Sequence, residues 1–112
     1  MSGVLDGYRV IDCTQGLCGP FAALMLADTG AEVVKIEPPG GDAARSYGPP
    51  FLEGGVSAVF SALNRGKKSV VLDLESSTGE AALRQMLATA DVFIEDWGPG
   101  VADAKGCGYG DI

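Results

Sequence analysis

The side chains of this sequence that could take part in chemistry concentrate in turns after short apolar runs. The first such turn, residues 14–20, reads Thr-Gln-Gly-Leu-Cys-Gly-Pro and follows a short apolar run of Val10, Ile11 and Cys13. Backbone N–H groups at the start of a helix can bind an anion, and a thiol there, such as Cys18, is stabilised as a thiolate. The two glycines do not form the dinucleotide fingerprint G-x-G-x-x-G. The turn therefore indicates either a ligand contact or a tight connection, with Cys18 as a reactive thiol or simply a small side chain.

Charged and aromatic side chains add further candidates. Acidic side chains at strand ends or in loops could act as nucleophiles, although a carboxylate there more often is solvated or caps a turn. They are Glu37, Asp42, Asp91, Glu95 and Asp96. The basic cluster of Arg45, Arg65, Lys67 and Lys68 either attracts phosphates at a pocket rim or is a solvated turn. Trp97 either stacks on a ligand or covers a sheet edge. We assign no catalytic residue and no metal ligand within this chain.

Composition excludes several classes of function. The chain has 112 residues with 8 basic and 15 acidic side chains, a formal charge of −7, which argues against nucleic-acid or anionic-membrane binding. It has no histidine, so histidine-based zinc sites, Ser-His-Asp triads and Cys-His pairs are excluded within it. The cysteines, Cys13, Cys18 and Cys107, are too scattered for a metal knuckle. With no apolar run of membrane-spanning length and no signal core, we expect a soluble, cytoplasmic protein.

The elements that position these residues begin with a strand–helix–strand unit over residues 8–37. An apolar run predicts the first strand, and residues 21–28 are strong helix formers that predict a buried helix. Pro20 suits the first helical turn, and Gly30 supplies a left-handed stop before the second strand, residues 33–36. Such a unit is almost always right-handed with parallel strands. Ligands are therefore expected at the carboxyl ends of the strands.

The rest of the chain repeats the alternation of strands and helices. Residues 38–55 predict a long loop, and a short helix follows over residues 56–63. A third strand is predicted over residues 69–74 and a fourth over residues 91–95; between them a helix, capped by Ser76, Ser77 or Thr78, runs to Ala90. The order β-α-β-α-β-α-β predicts an open parallel sheet with helices on both faces. Because four strands leave little material to cover both faces, we expect an incomplete, N-terminal part of a larger fold, or a partner.

Characteristic segments occur in a fixed order along the whole chain. They are Leu5-Asp6-Gly7, Gly19-Pro20, Gly30-Ala31-Glu32-Val33-Val34-Lys35-Ile36-Glu37, Gly41-Asp42-x-x-Arg45, Asn64-Arg65-Gly66-Lys67-Lys68-Ser69, Leu72-Asp73-Leu74, Ala90-Asp91-Val92 and Gly98-Pro99-Gly100. In this order and spacing the chain resembles the family III coenzyme A transferases. This group, also called the CaiB/BaiF family, includes formyl-CoA transferase, carnitine CoA-transferase and α-methylacyl-CoA racemase.

The resemblance implies a Rossmann-like fold in which residues 1–112 form the CoA-binding N-terminal part of the large domain, with no second domain in this chain. CoA or acyl-CoA would be bound as a substrate, with no tightly bound cofactor. Three positions depart from the family pattern. Pro38 stands where relatives often have arginine, Asp96 stands where many have asparagine, and Lys105 is one place displaced from the basic residue that usually follows Gly-Pro-Gly. By position, the contacts that the resemblance implies are Leu17, Cys18, Pro38, Leu72, Asp73, Leu74, Glu75, Asp96, Trp97, Gly98 and Lys105.

The resemblance also implies an activity. Family transferases move CoA from an acyl-CoA thioester to a small carboxylic acid through a downstream aspartate, and the racemases use a downstream proton-transfer pair. Neither region falls within these residues, so we expect the chain alone to be inactive. We also expect a homodimer or a missing C-terminal half. The alternatives are a non-catalytic CoA-binding or subunit-pairing module, an acyl-CoA racemase fragment and, less favoured, a nicotinamide-dinucleotide domain.

Overall fold

A computed structural model of the protein describes residues 3–112. The strands are β1 (Arg9–Cys13), β2 (Glu32–Glu37), β3 (Phe51–Leu52), β4 (Val56–Ser57), β5 (Lys68–Val71) and β6 (Val92–Glu95). The α-helices are α1 (Cys18–Asp28), α2 (Ala58–Leu63), α3 (Ser77–Leu87) and α4 (Val101–Ala104). Single 3-10 turns lie at Ala43–Ser46, Glu53–Gly55 and Tyr109–Asp111. Within the described residues, no helix combines the length and the apolar character needed to cross a bilayer.

The main sheet is parallel throughout, with the strand order β5-β2-β1-β6. The chain therefore starts in the middle of the sheet, builds outward through β2 and β5, and then crosses to the other side of β1 to form β6. The strand order reverses between β1 and β6, and in open α/β sheets that is where ligands bind. This architecture confirms the predicted Rossmann-like open parallel sheet. A two-stranded antiparallel pair, β3 and β4, lies apart from it.

Helices cover both faces of the sheet. On one face Ala23 of α1 packs with Val10 and Val33 of the central strands. On the other face Leu83 of α3 packs with residues of β1 and β2 and with one cysteine near the end of the chain. They are Ile11, Cys13, Val34, Ile36 and Cys107. Alternate residues of β1 and β2 thus enter different cores, as the alternation of side chains along a strand requires.

Helix α1 differs from its prediction in both its start and its burial. It begins at Cys18 rather than Phe21, with Pro20 in its first turn. Only one face is buried, because the side chains of Phe21 and Met25 are 52% and 57% exposed. The prediction of a buried helix was therefore wrong. At the other end Gly30 has a φ of +110°, and a Cβ there would overlap the Asp6 carboxylate, so the predicted stop is confirmed.

The turn that follows β5 explains why the third strand is shorter than predicted. Strand β5 ends at Val71 rather than Leu74. The Asp73 carboxylate accepts a hydrogen bond from the Glu75 backbone N–H at 3.0 Å, and the Ser76 N–H donates to the Asp73 carbonyl at 3.1 Å. Ser76 then caps α3 by accepting a bond from the Gly79 N–H at 3.0 Å. Helix α3 ends at Leu87 instead of Ala90.

A buried ionic layer lies beneath residues 38–57, on the α1 face of the sheet. We give this name to the charged side chains Asp12, Lys35, Glu37, Asp42 and Lys67. Lys67 Nζ lies 3.0 Å from Asp12 Oδ2, and Lys35 Nζ lies 2.7 Å from Asp42 Oδ2, with all four side chains at most 1% exposed. Burial lowers the pKa of Lys67, and the Asp12 carboxylate opposes this shift. Each buried charge therefore has a partner of opposite sign, which is what makes its desolvation tolerable.

Glu37 completes this layer at the end of β2. Its carboxylate pairs with the Arg45 guanidinium through two contacts of 2.7 Å. It also accepts hydrogen bonds from the Asp42 N–H at 2.7 Å and from the Ser69 hydroxyl. Arg45 in turn covers the ring of Phe60, at 4.1 Å from its centroid. Glu37 thereby joins β2, β5 and the segment after β2.

We predict that acidification destabilises the protein through Glu37. The hydrogen-bonded Arg45 side chain, opposed by burial, lowers the pKa of Glu37 from 4.5 to about 2. A carboxyl group with a lowered folded-state pKa stabilises the fold above its unfolded pKa. That contribution is lost as the pH falls from about 4.5 to about 2. Allowing for solvent around the half-exposed Arg45, we expect a loss of roughly 2–3 kcal/mol.

Urea denaturation of the wild type and of Glu37→Gln between pH 7 and pH 2 checks this. The variant should be less stable by roughly 2–3 kcal/mol at pH 7, and the difference should shrink towards pH 2. Glu53→Gln, which removes an exposed carboxylate, is the matched control and should follow the wild type at every pH. A pH dependence of the same size in the wild type and Glu37→Gln would contradict the assignment.

Candidate binding site

A pocket of about 530 Å³ opens at the carboxyl ends of the four parallel strands. Its walls come from the ends of β1 and β2, the turn after β5 and the segment between β6 and the last turn of α4. The residues that line it are Cys13, Gln15, Ile36, Pro38, Pro39, Leu72, Asp73, Leu74, Glu75, Trp97, Val101 and Lys105. Most of these side chains are apolar. The pocket lies at the place where the strand order predicts ligand binding.

Trp97 and Lys105 form the wall on the β6 side. The ring of Trp97 contacts the ring of Phe93 edge to face, with centroids 6.0 Å apart, and packs against the core on the α3 face. Lys105 Nζ lies 5.3 Å from the centroid of the Trp97 ring. Trp97 thus covers the sheet and also lines the pocket, so both interpretations of this residue are compatible with its position. Among the described residues that line the pocket, Lys105 is the one with a positive charge.

The buried ionic layer fixes the glycine turn after β1. Lys35 Nζ donates to the Thr14 carbonyl at 2.9 Å, and Asp42 Oδ1 accepts the Gly16 N–H at 3.1 Å. Asp42 Oδ1 also accepts the Ala44 N–H at 2.8 Å. The turn before α1 and the segment after β2 are therefore held by the same pair of charges. These two segments supply adjacent walls of the pocket.

The structure places seven of the residues implied by the resemblance around one pocket. They are Pro38, Leu72, Asp73, Leu74, Glu75, Trp97 and Lys105. Asp96 and Gly98 instead line a neighbouring groove of about 560 Å³ with Glu95 and Asp103. Leu17 and Cys18 are exposed at the start of α1 and line neither cavity.

Asp96 does not line the main pocket and lies beside the glycine turn instead. Its Oδ2 accepts the Gln15 backbone N–H at 3.3 Å, and a Cβ at Gly19 would lie 2.9 Å from that oxygen. The carboxylate therefore occupies the position beside the first turn of α1 where an anion would otherwise be attracted. An anionic ligand in the main pocket would not meet this carboxylate directly.

Four residues of the pocket were not predicted from the sequence, namely Cys13, Ile36, Pro39 and Val101. A fifth, Gln15, lies in the glycine turn that was predicted as a possible ligand contact, although it was not among the individual contacts that the resemblance implies. The signal that could have found Cys13 and Ile36 is their position at the end of a strand, where alternate side chains point to the α3 face. Gln15 and Pro39 each lie two residues beyond the end of a strand, β1 and β2 respectively. Burial raises the pKa of the Cys13 thiol and of the Cys107 thiol, so neither is an activated thiolate.

The basic cluster proposed from the sequence does not form one positively charged patch. Each of its four members pairs with a carboxylate, and none lines the pocket. The pairs are Arg45–Glu37 at 2.7 Å, Arg65–Asp28 at 2.8 Å, Lys67–Asp12 at 3.0 Å and Lys68–Glu32 at 3.1 Å. The alternative of a solvated turn fits the exposed Arg65 and Lys68 but is wrong for Lys67, which is buried.

We predict that Gly79→Ala disturbs the pocket wall formed by the turn after β5. A Cβ at Gly79 would overlap the Asp73 carbonyl group, so this turn would have to move away from α3. Although alanine is the better helix former by about 1 kcal/mol, we expect a net loss of about 1–3 kcal/mol in unfolding free energy. Urea denaturation and amide NMR shifts at residues 73–76 measure the two effects.

Gly110→Ala is the matched control for this substitution. A Cβ at Gly110 meets nothing within 4 Å. We expect the control to leave both stability and the amide shifts of residues 73–76 near their wild-type values. If Gly79→Ala stabilised the protein and left these shifts unchanged, the close packing of the turn against α3 would be refuted.

Comparisons with known proteins cover nearly the whole chain. The family model described as CoA-transferase family III matches residues 5–112. The human succinyl-CoA:glutarate CoA-transferase is 43% identical over 109 residues, which make up 96% of this chain and 25% of that protein. The acetyl-CoA:oxalate CoA-transferase of Acetobacter aceti is 46% identical over 111 residues, which make up 98% of this chain and 28% of that protein.

A solved structure agrees with these matches. The crystal structure of a CAIB/BAIF family protein from Brucella suis superposes with a TM-score of 0.93 at 38% identity, over 99% of this chain and 30% of that one. The chain thus spans about a quarter of the length of the curated relatives named above. With the match extending from residue 5 to residue 112, the chain belongs to CoA-transferase family III.

Proposed function

We propose that this chain is the CoA-binding N-terminal portion of a CoA-transferase, with CoA or acyl-CoA held in the pocket at the carboxyl ends of the parallel strands. The observation that carries the proposal is the position of this pocket in a chain of this family. Its apolar walls and the cation of Lys105 suit a ligand with an apolar arm and phosphate groups.

Each part of the pocket suits a different part of CoA. Lys105 supplies a positive charge for a phosphate, and the ring of Trp97 beside it offers an apolar surface for stacking. The apolar side chains at the ends of β1 and β2, Cys13 and Ile36, suit the pantetheine arm. Because the Asp96 carboxylate does not line this pocket and accepts the Gln15 N–H, the repulsion that its sequence position suggests is reduced. Leu17, Cys18 and Gly98 could contact CoA only where it extends beyond this pocket.

The names of the relatives indicate the substrate class. The human relative acts on succinyl-CoA and glutarate, and the relative from Acetobacter aceti on acetyl-CoA and oxalate. By extension, the substrates here would be an acyl-CoA thioester and a small carboxylic acid. Both relatives carry out transfer, which favours transfer over racemisation for this chain.

The reacting carboxylate is proposed to lie outside these residues. The two acids of the pocket, Asp73 and Glu75, belong to the turn after β5, and Asp73 already accepts the Glu75 N–H at 3.0 Å. The chain spans only about a quarter of its curated relatives. We therefore assign CoA binding to these residues and covalent carboxylate chemistry to a further segment or a second subunit. A homodimer in the cytoplasm is the corresponding proposal for the whole protein.

The buried ionic layer disfavours a nicotinamide dinucleotide as the ligand. In dinucleotide-binding domains an acid at the end of the second strand binds the ribose hydroxyls. Here the acid at that position, Glu37, is buried and bonded to Arg45, Ser69 and the Asp42 N–H. It has no exposed oxygen to offer a ribose.

Calorimetric titration of the chain with CoA, acetyl-CoA and NAD tests the proposed ligand. We expect binding of CoA and acetyl-CoA and no measurable binding of NAD. Lys105→Met should weaken CoA binding by about tenfold, because loss of one charge-assisted contact costs about 1.5 kcal/mol. This difference should diminish at high salt, which screens exposed charges.

Lys68→Met is the control for this substitution, since Lys68 is an exposed lysine that pairs with Glu32 away from the pocket. It should leave the affinity for CoA unchanged. Equal losses in Lys68→Met and Lys105→Met would show a general effect of net charge. Binding of NAD but not of CoA would overturn the proposal.

We also predict that the chain by itself has no transferase activity. Mixed with succinyl-CoA and glutarate, it should form no glutaryl-CoA above the rate in buffer, because our proposal places the reacting carboxylate outside these residues. Product formation by mass spectrometry is the measurement. Turnover by the chain, abolished by Asp73→Asn or Glu75→Gln, would instead place the reacting group in the turn after β5.

A further inference from the structure

Gln15 lines the middle of the pocket and has no role in the proposal above. It follows the end of β1, the strand that lies between β2 and β6 in the sheet. The walls on its two sides are Pro38 with Pro39 after β2, and Trp97 after β6. Gln15 is exposed, and its side chain is the only uncharged amide among the described residues that line the pocket.

The orientation of this amide is fixed by its partner. Gln15 Oε1 accepts a hydrogen bond from the Ala43 backbone N–H at 3.1 Å. A backbone N–H can only donate, so the oxygen of the amide must face Ala43. The NH₂ group is therefore at the other end, and within residues 3–112 it makes no hydrogen bond.

The position of Gln15 is held from three directions. Its own backbone N–H donates to Asp96 Oδ2 at 3.3 Å, and the carbonyl of the preceding Thr14 accepts from Lys35 Nζ at 2.9 Å. Its partner, Ala43, begins the 3-10 turn that Asp42 caps. A side chain held in this way loses less conformational freedom when a ligand binds, which favours a contact made by it.

The chemistry of the contact follows from the neutral charge of the donor. Phosphates are matched by the cation of Lys105, whereas an uncharged N–H donor between apolar walls is matched by an uncharged carbonyl. Within CoA, such carbonyls are the secondary amides of the pantetheine arm. We propose that the Gln15 NH₂ group donates a hydrogen bond to an amide carbonyl of pantetheine, and so helps distinguish CoA from ligands that carry only its nucleotide part. This inference rests on the proposed function.

Two variants separate this contact from the structural role of Gln15. Gln15→Glu keeps an acceptor for the Ala43 N–H and replaces only the NH₂ donor. Gln15→Met removes donor and acceptor without adding charge. The matched controls are Gln85→Glu and Gln85→Met, because Gln85 is exposed on α3. Calorimetry measures the affinities for CoA and for adenosine 3′,5′-bisphosphate, which lacks the pantetheine arm.

We expect Gln15→Met to weaken CoA binding by about fivefold to tenfold and to leave the affinity for the bisphosphate within about twofold of the wild type. Gln15→Glu should lose at least as much affinity for CoA. Because this variant also adds a negative charge, its loss of affinity for the bisphosphate measures the part of the effect that is due to charge alone. Equal losses for both ligands in Gln15→Met, or no loss for CoA in either variant, would overturn the inference. Absence of CoA binding by the wild type would instead refute the proposed function itself.

Discussion

The pairing of buried charges beneath one end of the sheet is the interaction on which the pocket depends. Four side chains, those of Asp12, Lys35, Asp42 and Lys67, are removed from water almost completely. Burial of each ion alone would cost several kcal/mol, so each can remain charged only while its partner is present. Loss of one partner would leave the other charge uncompensated. The segments that carry these partners are therefore forced to stay together.

Two of the segments held in this way, the turn after β1 and the segment after β2, supply walls of the pocket. Lys35 fixes the turn after β1 through the Thr14 carbonyl, and Asp42 fixes the same turn through the Gly16 N–H. Glu37 bonds to Ser69 of β5 and to Arg45 in the segment after β2. Loops at strand ends usually move more than the strands they connect. Here the ionic layer gives the turn after β1 and the segment after β2 the rigidity of the sheet, at the edge where a ligand would bind.

The sequence predicted the sheet because short apolar, β-branched runs alternate with helical segments, which is typical of a parallel sheet. The ionic layer was not predicted, although Lys35 and Glu37 are charged residues two positions apart in an otherwise buried strand and so share a face. Their partners could not be predicted in the same way. Lys67 and Asp12 are 55 residues apart, and in sequence Lys67 resembles any solvated lysine in a turn. The half-exposed α1 was missed for a related reason, because its residues are apolar on both faces.

The prediction of the pocket had a similar limit. The topology placed ligand contacts at the strand ends, and the resemblance selected residues there, but neither indicates which side chains face one cavity. Leu17 and Asp96 follow strand ends as Leu72 and Trp97 do, yet they lie outside the pocket. Whether a side chain after a strand faces the cavity depends on the direction in which the backbone leaves the strand. A shift of one residue turns the side chain to the opposite face. Gln15 entered the site in the same way, through the path of the turn rather than through its residue type.

The pocket presents a few polar groups to a ligand but is largely open to water. Its walls come from one edge of one sheet, and Asp73, Glu75 and Gln15 remain exposed to water. A wall of this kind can orient a ligand through a few directional contacts, whereas protection of a reactive acyl intermediate from water requires a closed site. The physical division that we propose follows from this difference. In this proposal the strand ends of the chain would recognise CoA, and the reacting carboxylate would require further walls that exclude water.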